Sequence, residues 1–179
     1  MNLRFFEHLS EQEAADYLRR FLATEGAAAA TLVAAAAADG VTADYGADNL
    51  VPVLRWVVRR DAGLPPELVE DERERAAPLG LPAGAESLVL RAAYYLGETF
   101  VRHRPRRLRW ASGDRDLITE NQPVVAGFTR DVELPVILVV SNLFGRAGDE
   151  ESVPRLVSAW AERVPRQTGR LMPRLRRSL

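Results

Sequence analysis

The sequence predicts a mainly helical α+β domain, with an N-terminal helical group, a central buried helix and a small antiparallel β-hairpin. Three observations carry this. Apolar residues recur at helical spacing, among long alanine runs, between Ser10 and Gly63. Ser87 to Arg102 is apolar on almost every face. "RRLRWASGD" and "QPVVAGFTRD" read as two short strands around the polar loop Arg115 to Asn121.

Ser10-Glu11-Gln12-Glu13 is a capping box, in which the serine hydroxyl and the Glu13 carboxylate satisfy each other's N–H groups. The helix it opens places Ala14, Tyr17, Leu18, Phe21 and Leu22 on one face. Gly26 is expected to interrupt it, and "AAAATLVAAAAADG" to form a second helix stopped by Gly40. Small side chains allow close approach, which places this helix inside a bundle. "DNLVPVLRWVVRRDAG" predicts a third helix, capped by Asp48 and stopped by Gly63, with Pro52 in its first turn and Leu50, Val53, Trp56 and Val57 facing inward. The proline- and acid-rich "LPPELVEDERERAAPLGLPAG" is a connection with no room for a second domain.

On the Ser87–Arg102 helix, Arg91, Tyr95, Glu98 and Arg102 form a thin polar line with Tyr94 beside it. Gly97 costs about 1 kcal/mol relative to alanine in a helix interior, so close contact with a neighbouring backbone is expected there. In "ELPVILVVSNLFGR" the β-branched residues argue strand, whereas Pro135 and the length before Gly145 argue helix; helix is the expectation. "SVPRLVSAWAERV" is a last helix. Residues 1–164 thus form a single globular domain, and 165–179 an Arg-rich C-terminal tail. That tail either contacts a partner through Arg174, Arg176 and Arg177 or docks on the body through Leu171, Met172 and Leu175.

A chain of 179 residues with a formal charge of −1 buries a sizeable core and has no global attraction to nucleic acid or anionic membrane. There is no cysteine, which excludes disulfides, thiolate metal sites and a cysteine nucleophile. There is also no lysine, which excludes Schiff-base chemistry and a P-loop ammonium. Together with the alanine runs, arginine as the sole strong base suggests a GC-rich bacterial genome. No basic-then-apolar signal pattern opens the chain, and no apolar run approaches the roughly 18–20 residues of a membrane span. A cytoplasmic protein without membrane contact is expected, and no cofactor or metal is implied.

Glu98 is the pivotal residue. It stands four residues before Arg102, the favoured orientation for a helical ion pair, with Arg91 two turns earlier on the same line. A carboxylate between two guanidiniums is held ionised, whereas a general acid needs desolvation or a like charge. A structural Glu98 follows. His103 is expected to cap the helix end. "RHRPRRLRW" packs five arginines and a tryptophan into nine residues, a composition that suits a phosphate backbone and a stacked base. Yet Leu108 and Trp110 alternate with Arg107 and Arg109 as in a half-buried strand. The acids of "SGDRDLITEN", Asp114, Asp116 and Glu120, fall short of a calcium loop and read as a solvated turn. No G-x-S-x-G, Walker, G-x-G-x-x-G or H-E-x-x-H motif occurs.

The string "AAYYLGETFVR…LRWASGD…NQPVVAGF…ELPVILVVSNLF" resembles a class of small uncharacterised actinobacterial proteins over roughly Ser87 to Phe144. The shared features are a buried "YLGE" helix, a Trp-bearing strand and a "QPVV-GF" strand. No catalytic residue carries over from that class. Similar "LGE–W" arrangements occur in proteins suspected as immunity or accessory factors, so an immunity-like role is what the resemblance implies. The leading expectation is a non-enzymatic protein-binding factor, acting on a protein partner or as a homo-oligomer. Its candidate binding residues are Glu98, Arg102, Arg107, Arg109, Trp110 and the tail arginines. Two alternatives stand beside it: a nucleic-acid accessory protein using arginines 102–109 and 163–177, and an enzyme with a pocket near Glu98, His103 and Trp110.

Overall fold

The capping box opens the first long helix as its spacing requires. The structure is a computed structural model that describes residues 4–60, 83–144 and 151–165. After one turn, α1 (Arg4–Glu7), comes α2 (Glu11–Ala38), where Ser10 N donates to Glu13 Oε2 at 2.8 Å and Glu13 N to Ser10 Oγ at 3.3 Å. Contrary to expectation, α2 runs unbroken through Gly26. The glycine serves a neighbour instead: a Cβ there would lie 3.1 Å from the Tyr94 hydroxyl oxygen. Alanines on its C-terminal side supply the propensity that carries the helix past it.

Phe21, Ala29, Leu32 and Ala36 are buried along α2, which ends at Asp39 and Gly40, the latter at φ 76°. An 18-residue window of α2 has a mean hydropathy of 1.5, so by length and composition this helix could cross a membrane. That corrects the expectation that no apolar stretch approaches such a length. Alanine raises hydropathy while adding little buried area, and 33% of the window is buried in the fold.

α3 (Ala47–Arg59) begins earlier than its expected Asp48 cap. Gly46 is the cap residue, and Asp44 Oδ1 accepts from Gly46 N at 2.7 Å and from Asn49 Nδ2 at 2.9 Å. Pro52 therefore falls in the second turn, at an exposed position, and the helix stops at Arg59 rather than at Gly63. Leu50, Val53, Trp56 and Val57 are buried, as their spacing indicates. Trp56 Nε1 donates to Asp39 Oδ2 at 2.7 Å and ties α3 to the end of α2.

α4 (Ala83–His103) is the centre of the molecule, with α2, α3, α5 and the sheet all packed on it. The hairpin consists of β1 (Arg109–Ser112) and β2 (Pro123–Ala126), antiparallel with Trp110 opposite Val125. A third strand, β3 (Leu134–Pro135), extends it on the far side of β2. Two residues carry no periodic signal, so this strand was not legible in the sequence. Pro135 ends the edge strand, where a missing N–H is tolerated, and α5 (Val136–Phe144) follows as a helix. α6 (Ser152–Ala161) packs on α3. Its end is fixed by Thr129, whose N and Oγ1 donate to Arg163 O at 2.8 and 3.0 Å. The acidic run Glu67–Glu74 and the tail arginines Arg174, Arg176 and Arg177 lie outside the described residues.

Candidate functional site

The polar line of α4 converges on a knot of hydrogen bonds and rings. Glu98 Oε1 accepts from Arg102 Nε at 2.8 Å, and Oε2 accepts from Trp110 Nε1 at 3.1 Å. The Glu98 side chain is only 17% exposed. Its second partner is thus an indole rather than Arg91, which is buried elsewhere on the line. Trp110 belongs to β1, and the sheet's packing on α4 brings it across. Gly97 makes the approach possible, since a Cβ there would sit 2.2 Å from Trp110 Cη2. The close neighbour expected at Gly97 is therefore an aromatic ring and not a backbone.

Trp110 stacks on Tyr94, with centroids 5.9 Å apart and planes 12° apart, and meets Phe21 edge-on at 5.8 Å. The Arg102 guanidinium lies 3.9 Å above the Tyr45 ring, which in turn stacks on Tyr95 at 4.6 Å. Tyr45 N donates to Tyr95 Oη at 3.1 Å. Hydrogen bonding to Glu98 raises the Arg102 pKa above the ordinary arginine value. Burial pushes the hydroxyls of Tyr45, Tyr94 and Tyr95 up as well. Each Glu98 oxygen holds a structural donor, so the knot orders β1 against α4.

The remaining sequence candidates separate. His103 stands five residues beyond Glu98, about 140° round the helix, and lines a cleft against α3 and α6. Arg107 and Arg109 are exposed while Leu108 is 1% exposed, the alternation of a half-buried strand. Trp110, the ring that would stack a base beside them, is engaged internally by Tyr94 and Phe21.

The loop joining β1 to β2, expected as a solvated turn, also carries an apolar pair that the sequence reading did not single out. Among the described residues, Leu117 and Ile118 are the large apolar side chains exposed to solvent, at 45% and 82%. The loop beneath them is heavily braced. Gly113 N donates to Gln122 O at 2.8 Å, Asn121 N to Gly113 O at 3.1 Å, and Gln122 Nε2 to Ile118 O at 2.9 Å. Glu133 Oε2 accepts from Asp114 N at 3.1 Å and from Thr119 Oγ1 at 2.8 Å. Asn121 Nδ2 reaches across to Phe6 O and Leu9 O at 3.1 and 2.9 Å. Gly113 lets the loop close, because a Cβ there would fall 1.8 Å from Thr119 O.

Asp114, Arg115, Asp116 and Glu120 surround the apolar tip. No group of three or more metal-ligating side chains forms among the described residues. The sequence signal for this site was an adjacent Leu-Ile pair inside a polar loop. No protein-family model, no curated protein and no solved structure matches this chain.

Proposed function

We propose that this protein is a non-enzymatic protein-binding factor that engages its partner through the Leu117–Ile118 tip of the β1–β2 loop. One observation carries the reading: an isoleucine 82% exposed at the apex of a loop held by backbone and side-chain hydrogen bonds. Exposed apolar surface is unfavourable in water by roughly 25 cal/mol per Å², and a braced loop loses little further entropy on docking. The rim is acidic, three carboxylates against one arginine, which suits a partner with an apolar pocket edged by basic residues. The engagement of both Glu98 oxygens supports a binding role over a catalytic one. The reading places the protein in the cytoplasm, with α2 as a helix packed on α4 rather than a membrane span.

The test is affinity capture from source-cell lysate with the full chain, after nuclease treatment, comparing the parent with Ile118→Asp. One stoichiometric protein held by the parent and lost by the variant, at equal melting temperature, is the expected outcome. Equal capture by both chains, or capture of nucleic acid alone, contradicts it.

A further inference from the structure

A second feature, remote from the loop in sequence, is a half-open cleft of about 550 Å³ lined by the first turns of α3, the end of α4 and the end of α6. That volume lies within the roughly 300–1,000 Å³ of small-molecule sites. Leu50, Phe100, Val157 and Val164 give it an apolar lining. The α6 wall is preformed. Thr129 holds Arg163 O by two hydrogen bonds, and Trp160 meets Phe128 edge-on at 5.2 Å, itself edge-on to Phe100 at 5.6 Å.

The cationic and titratable groups His103 and Arg104 come from one wall, while Ser158 and Glu162 line the other. His103 and Arg104 line the cleft at and just past the C-terminal end of α4, and Ala47 brings in the N-terminal turn of α3, whose positive dipole end offsets the negative C-terminal ends of α4 and α6. Arg104 Nη1 donates to His103 O at 2.9 Å. Arg104 Nε, by contrast, is buried with no hydrogen-bond partner. A charged donor without an acceptor is costly, and an anion held by the guanidinium's other nitrogens would offset that cost electrostatically. Glu162, just past the end of α6, also lines the cleft and opposes negative charge near it, which leaves Arg104 as the place for a single carboxylate.

We infer that this cleft binds a small apolar monocarboxylate, its carboxylate on Arg104 and its hydrocarbon body on Leu50, Phe100 and Val157. The inference stands apart from the loop reading, since the loop and the cleft share no residue.

Calorimetric titration of the full chain with octanoate, and with the neutral octanamide, tests it. Saturable one-site binding of octanoate is expected, with octanamide and the Arg104→Gln variant each roughly 10- to 100-fold weaker. Because Arg104 also supports the end of α4, Ala161→Trp is the second variant. It fills the cleft from an exposed position, leaves Arg104 intact, and is expected to abolish octanoate binding. Equal affinity for acid and amide, undiminished binding in Ala161→Trp, or no saturable octanoate binding overturns the inference.

Discussion

Gly97, Asp39 and Tyr45 show how single residues set this structure. Replacing Gly97 by alanine improves intrinsic helix propensity by about 1 kcal/mol. The added methyl, however, meets Trp110 Cη2 at 2.2 Å and drives the indole off Glu98. Overpacking of this kind costs about 1–3 kcal/mol, and the lost indole hydrogen bond adds to it. Gly97→Ala is therefore expected to destabilise the protein by about 1–3 kcal/mol in urea melts, with a red-shifted tryptophan emission.

Asp39 gives a prediction in pH. Hydrogen bonds from Arg60 and Trp56 hold its carboxyl below the ordinary value of 3.8. A carboxylate depressed in the folded state contributes stability above its unfolded pKa, and that contribution is lost as pH falls through the folded one. Asp39→Asn should therefore be less stable than the parent at neutral pH, with the two melting curves converging in acid below about pH 3.8. A constant gap down to low pH would remove Asp39 from that role. Tyr45 holds φ at 62°, an uncommon conformation for a bulky residue, and its ring contacts with Tyr95 and Arg102 keep it there.

Among the elements, the β1–β2 loop is where rigidity and exposure coincide. Glu133 fastens its two ends from outside the hairpin. Glu133→Ala should raise amide exchange at Asp114 and in the loop above it, while the ladder between Trp110 and Val125 keeps its protection. Uniform loss of protection through the sheet would mean that Glu133 supports the fold and not the loop. The elements also show what local pattern can encode. The capping box, the inward face of α3, the buried α4 and the β1–β2 pairing were legible because each repeats a period or a cap within a few residues. The unbroken α2 was misread, because the role of Gly26 is visible only once Tyr94 lies against it. The two-residue β3 failed for the same reason, since it depends on a strand distant in sequence, whereas the start of α3 after Gly46 rests on the local Asp44 turn that the Asp48 reading overlooked.

Over the whole molecule, the hairpin is polarised. Exposed Arg107 and Arg109 stand at its open end, and Asp114, Asp116 and Glu120 at its tip. A basic-rimmed partner would be steered to that tip, so its association rate should fall as salt rises while dissociation changes little. Of the site residues read from the sequence, Glu98 and Arg102 pair as their spacing requires, and Trp110 completes the knot from another element. The long-range partner was the illegible part. The exposed tip and the cleft at Arg104 were missed for different reasons. Two apolar residues in a polar loop look accidental until the bracing beneath them is known. The cleft exists only when α6 closes over the ends of α3 and α4.

The most direct measurement is to compare Ile118→Asp with Glu98→Gln for both melting temperature and retention of the captured partner. Loss of about tenfold or more in affinity for Ile118→Asp, at unchanged melting temperature, is expected of a tip that binds. Glu98→Gln should lower the melting temperature by about 2–4 °C and leave partner affinity intact. A Glu98→Gln chain that melts normally but loses the partner, beside an Ile118→Asp chain that binds like the parent, would contradict the assignment of binding to the loop and support to the knot.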